Sequence, residues 1–94
     1  MRIEKLKMVK IMKDQGEEFV RLELEKNNYF DEYSVEEVVG IIDNYNISDM
    51  IEFFEIITMK SFNYKEKAVL SDLVREKMKK MIAKDRNVDF EKIA

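Results

Sequence analysis

Few residues in this chain could carry chemistry, and their types exclude more than they offer. Ser34, Ser48, Ser61 and Ser71 are hydroxyl nucleophiles, but the chain has no His to take their proton and no Cys to replace them. A Ser-Lys arrangement needs a buried Lys, which the apolar pattern does not show. The close carboxylates Glu36/Glu37 and Glu52/Glu55 would work as an acid–base pair only inside a cleft, and on the solvent stripes of helices they are ordinary. The lack of His and Cys also removes disulfides, thiolate chemistry and the usual zinc sites. Two glycines in the whole chain leave no phosphate-cradling loop. The expectation is a protein that is not an enzyme, with no catalytic residue, cofactor or metal.

Two spacings imitate sites. Asn44, Asn46, Ser48, Glu52 and Glu55 fall at positions 1, 3, 5, 9 and 12 of an EF-hand calcium loop, but the first ligand should be Asp. The sixth position demands Gly for its sharp turn and is Asp49 here, so the segment reads as a connector. "SVEEVVGIIDNYNISDMIEFF" has the rhythm of a helix-turn-helix, yet its would-be recognition helix carries three acids and no base, which phosphate would repel.

The elements that must position any site come next. At about 100° per residue, Ile3, Leu6, Met8, Val9, Ile11 and Met12 scatter around a helix instead of forming a stripe. Folding residues 5–25 back on themselves pairs Leu6 with Leu24 and Met8 with Leu22, and sets Lys5 opposite Glu25 and Lys7 opposite Glu23. Asp14-Gln15-Gly16 is then a three-residue loop with Gly in the left-handed region. Ser34 and Glu37 form a capping box for a helix over about 35–45. Ser48 can cap a second over about 49–59, and Asn63 with Glu66 a third over about 64–85. In the second, Asp49, Glu52, Glu55 and Thr58 recur every third residue as a narrow polar stripe, which predicts the most buried helix. Val88, Phe90 and Ile93 in the tail could tuck against the core. The predicted fold is α+β: an N-terminal two-stranded antiparallel hairpin packed on three helices, ββααα, in a small single domain over 1–94. The unpaired edges of such a hairpin would also invite a homodimer.

Charge is strongly segregated. The chain has a net charge of −3, with 17 basic and 20 acidic residues. Residues 27–59 hold eight acids (Asp31, Glu32, Glu36, Glu37, Asp43, Asp49, Glu52, Glu55) and no Lys or Arg, together with six of the ten aromatics. The plain reading takes the acids as helix caps and solubilising charge, and the aromatics as core. The sharper reading is a binding face for a basic partner protein, for instance one that binds nucleic acid, made by Tyr29, Asp31, Glu32, Tyr33, Glu36, Asp43, Tyr45, Asp49, Glu52 and Glu55. An inhibitor of the anti-CRISPR kind, carried by a phage or mobile element, is its concrete form. The alternative is a winged-helix-like DNA-binding regulator using the basic hairpin and Lys77, Lys80 and Lys84 of the third helix. The bases of that helix split around its apolar stripe, Arg75, Lys79 and Arg86 on one flank and Lys77, Lys80 and Lys84 on the other, and the pI is about 5.1, so direct nucleic-acid contact is the weaker expectation. The Lys-studded N-terminus has no signal-peptide core, and no stretch approaches the roughly 20 apolar residues of a membrane span. A soluble protein of the cytoplasm, or of the host cytoplasm if phage-encoded, is expected.

Overall fold

In the computed structural model, residues 2–27, 29 and 33–86 are described, and every regular element among them is helical. The elements are α1 (Arg2–Ile11), a π-helical turn (Met12–Gly16), α2 (Glu17–Lys26), α3 (Val35–Asp43), α4 (Ser48–Thr58) and α5 (Tyr64–Arg86). Backbone dihedrals stay in the right-handed helical region at Ile11, Gly16 and Glu17, so the first three form one continuous rod. The Glu17 amide donates to the Met12 carbonyl, the five-residue reach of a π turn. The described residues form an all-helical fold. The hairpin over 5–25 and the α+β class are overturned, since no strand occurs among the described residues.

The physical reason lies in the spacing of the buried residues. Besides Ile11, the rod buries Met8, Met12, Gly16, Val20 and Leu24, a row spaced by four. On an unbroken α-helix such a row drifts by about 40° per step, which leaves Met8 and Leu24 about 160° apart. The π turn adds one residue to a turn and takes up part of that drift. Leu6 and Leu22, which the hairpin register placed on its apolar side, stand 65% and 50% exposed. The hairpin's glycine is not left-handed either: Gly16 has φ −98° and ψ −33°. Its lack of a side chain lets Met12 and Phe54 pack close: a Cβ there would lie 2.5 Å from Met12 Sδ, the flexible end of that side chain, and 3.4 Å from Phe54 Cζ.

α5 packs against every other element. Its buried row is also spaced by four: Glu66, Leu70, Val74, Met78 and Ile82. Lys7 pairs with Glu66 at 3.1 Å and Glu17 with Lys77 at 2.8 Å, so rod and α5 run parallel. The intervening α4 runs antiparallel to the rod, with Tyr45 at Glu23, Phe53 at Phe19 and Phe54 beside Gly16. A single core holds Met8, Val20, Leu24, Val38, Ile42, Phe54, Leu70, Val74, Met78 and Ile82.

The helix starts follow local chemistry. The Ser34 hydroxyl accepts from the Glu37 amide while the Glu37 carboxylate accepts from the Ser34 amide. Asn63 and Glu66 repeat the exchange at the start of α5, at 2.8 and 3.1 Å. Ser48 does not cap α4. It is the first helical residue, and its amide donates to Asn46 Oδ1 at 3.0 Å. Val88, Phe90 and Ile93 lie outside the described residues.

Candidate functional site

The residues expected to share a face separate into three groups. Tyr29 is 3% exposed and its ring meets Tyr45 edge-on, with centroids 6.4 Å apart. Tyr45 is half-buried, its hydroxyl donates to the Glu23 carboxylate, and its carbonyl accepts from Arg75 at 3.1 Å. Burial, and then the Glu23 carboxylate, raises both phenols, Tyr45 far more than Tyr29. These two tyrosines tie the α3–α4 connection to the core. Asp43 closes an ion pair with Lys79 at 2.5 Å, and Glu55 accepts from the Phe62 amide at 2.7 Å, holding the loop into α5.

The second group faces solvent. Tyr33, Glu36, Glu37, Asp49 and Glu52 are exposed, and none of the four carboxylates forms an ion pair with a described residue. Asp31 and Glu32 make up the third group and lie outside the described residues.

The solvent side of α4 is not a narrow polar stripe. Met50, Ile51 and Phe54 point into the core, but Phe53 is 38%, Ile56 67% and Ile57 36% exposed. A repeat of three drifts by about 60° per step, so Asp49 and Thr58 stand on opposite sides and cannot belong to one stripe. Thr58 instead donates back to the Phe54 carbonyl at 2.6 Å. On the solvent arc Asp49 and Glu52 are followed, toward the C-terminal end, by Phe53, Ile56 and Ile57. Met59 then ends the helix with φ 54° and ψ 39°, 91% exposed. Glu52, Glu55, Ile56, Met59, Lys60 and Ser61 line a shallow depression of about 270 Å³. Phe53, Ile56, Ile57 and Met59 are the site residues that the charge pattern missed. A tally of apolar residues around the α4 helical wheel would have found the first three, because they cover more of the circumference than a small domain can bury.

Lys77, Lys80 and Lys84 do come together, along a broad depression of about 940 Å³ between α2 and α5. Glu17, Arg21, Glu25 and Asp85 share its lining. Lys77 pairs with Glu17, and Lys80 with Glu76 at 2.9 Å. The Lys77 ammonium holds the Glu17 carboxyl below the usual carboxylate range, and Arg21 does the same for Glu18. The result is a mixed-charge surface without a dominant sign.

Among the described residues no group of acidic side chains is arranged to hold a metal ion. None of their helices is long and apolar enough to cross a membrane. Comparison with known protein families, with curated proteins and with solved structures finds no match to this chain.

Proposed function

We propose that the chain is a small non-enzymatic binding protein whose acidic face, on the solvent sides of α3 and α4, occupies a basic surface of a partner protein. One observation carries the reading: Glu36, Glu37, Asp49 and Glu52 are exposed without an ion pair among the described residues, in a third of the chain that has no Lys or Arg. By contrast, Asp43 is neutralised by Lys79 of α5. Exposed charge of one sign speeds association with an opposite surface and sets which partner fits. Tyr29 and Tyr45 are structural in this reading, and of the described tyrosines expected on the face, Tyr33 remains exposed on it. In its sharpest form the protein is an inhibitor of the anti-CRISPR kind, filling a channel that otherwise holds nucleic acid.

The test is capture from nuclease-treated cell lysate by the native chain and by the double variant Glu36→Lys, Glu52→Lys. A basic protein should be retained by the first and lost by the second. The Tm should fall by less than about 8 °C, the shift expected from 1 kcal/mol in a domain of this size. Capture that survives the reversal sinks the proposal, and so does loss of binding only because the variant is unfolded.

A further inference from the structure

The C-terminal half of α4 breaks two rules of a self-sufficient helix at once. Four large apolar side chains, Phe53, Ile56, Ile57 and Met59, meet water on a helix that has a well-formed buried side of its own. Met59 also occupies the left-handed position that ends a helix, the sole non-glycine with positive φ among the described residues. Glycine takes that position without strain, whereas a Met there brings its Cβ close to the following carbonyl. At 91% exposure its side chain gains almost no contact within the chain in return. Strain that internal packing does not offset is characteristic of contact sites.

We infer that this end of α4 and its exit turn are the anchor socket of the acidic face, and that its occupant is a basic amphipathic helix of the partner protein. The inference rests on the reading of that face as a protein-binding surface, and adds to it the apolar anchor and the kind of element bound. Charge decides among occupants. Asp49 and Glu52 lie on the same arc as Phe53 and Ile56, one turn nearer the N-terminus, so whatever covers the apolar half also covers two carboxylates. A second copy laid on α4 would bring two more carboxylates and, from the exit turn, only Lys60 as a base, leaving at least two of the four carboxylates desolvated and unpaired. An anionic lipid surface would be repelled in the same way. A helix with Lys or Arg beside its apolar stripe satisfies both halves, as helices laid in grooves commonly do. The depression beside Ile56 and Met59, about 270 Å³, receives its anchor. The Glu55–Phe62 hydrogen bond holds one wall, and Lys60 on the lining directs the partner's bases toward the first turn of α4.

The probe is a helical peptide of Leu and Lys with one apolar face, beside a control with Glu for every Lys, each titrated into the full chain and followed by backbone amide NMR. The Lys peptide should shift amides of α4 and of residues 59–61, and the Glu peptide should not. Met59→Gly should raise Tm, because it relieves the left-handed strain, yet together with Ile56→Ser weaken the peptide by about tenfold or more, as loss of central anchors does. Asp49→Asn with Glu52→Gln should weaken it and flatten its salt dependence. If charge changes matter and the Met59 and Ile56 changes do not, the anchor is overturned while the acidic face survives. If the Lys peptide does not bind at α4, or if sedimentation shows a dimer that Ile56→Ser dissolves, the inference fails outright. Tighter binding to anionic vesicles than to the peptide overturns it as well.

Discussion

The rod from Arg2 to Lys26 and helix α5 bury the same kind of row, five residues spaced by four, and they accommodate it differently. In α5 the helix is regular, and its row winds around the axis of a helix that packs against every other element. In the rod the row is interrupted by the π turn at Met12–Gly16, which brings Met8 and Leu24 back toward one side, where α5 lies parallel. A row spaced by four is thus compatible with a helix that serves several partners, or with one whose phase is reset partway. Which of the two holds depends on the packing and not on the spacing alone.

The largest effect should come from deleting one residue in each. Removing Glu76 from α5 turns everything after it by about 100°, so Met78 and Ile82 leave the core. Each such loss costs about 2–5 kcal/mol, against a total stability of about 5–15 kcal/mol for a small domain. No cooperative thermal transition should remain by circular dichroism. Removing the exposed Gln15 deletes the extra residue of the π turn, so an ordinary α turn can form with α1 and α2 still in phase. That variant should melt cooperatively. If both deletions unfold the chain, the π turn is not acting as a phase reset.

A second, smaller contrast lies between Gly16 and Gly40. A Cβ on Gly16 meets Met12 and Phe54, whereas one on Gly40 finds nothing within 4 Å. Gly40→Ala should therefore gain about 1 kcal/mol from helix propensity. Gly16→Ala should be close to neutral, because the atom it meets first is the flexible end of Met12, which can give way and offset the same gain. Gly16→Leu has no such escape and should cost about 1–3 kcal/mol by overpacking. Urea unfolding of the three variants would rank them. A stabilised Gly16→Leu would mean that the π turn is looser than its contacts show.

These differences also mark what was legible in the amino-acid order. The starts of α3 and α5 were legible because Ser34–Glu37 and Asn63–Glu66 are exchanges within one turn, written in four consecutive residues. The rod was not, because its phase is reset by a turn that no propensity scale marks, and because the Lys5/Glu25 and Lys7/Glu23 pairs mimic a strand register. Lys7 spends its charge on Glu66, 59 residues away. Base-free charge across the described part of 27–59 was legible, but its division was not. Tyr29 and Tyr45 are drawn inward by the core and by Glu23, and the apolar end of α4 was hidden by a three-residue repeat mistaken for one stripe.

The smallest effects should separate the two ion pairs that clip the rod to α5. Glu66 at the α1 end is buried, and its carboxyl is held below the usual range first by the Asn63 amide and then by the Lys7 ammonium. Glu17 at the α2 end is exposed, and Lys77 lowers its carboxyl in open solvent, where screening leaves little net gain. A carboxyl depressed in the folded state contributes stability that is full above its unfolded pKa, about 4.3 for Glu. That contribution is lost as pH falls through the folded value. Glu66→Gln keeps an oxygen for the Asn63 amide but loses the charge and the acceptor for Lys7, so it should cost about 1 kcal/mol at pH 7. By pH 3 its unfolding curve should have drawn close to that of the native chain. Glu17→Gln should track the native chain at both pH values. Denaturant titrations at pH 7 and pH 3 decide the matter: an equal loss from both substitutions at pH 7 would mean that burial of Glu66 adds nothing to the clip, and that the two ends of the rod are held alike.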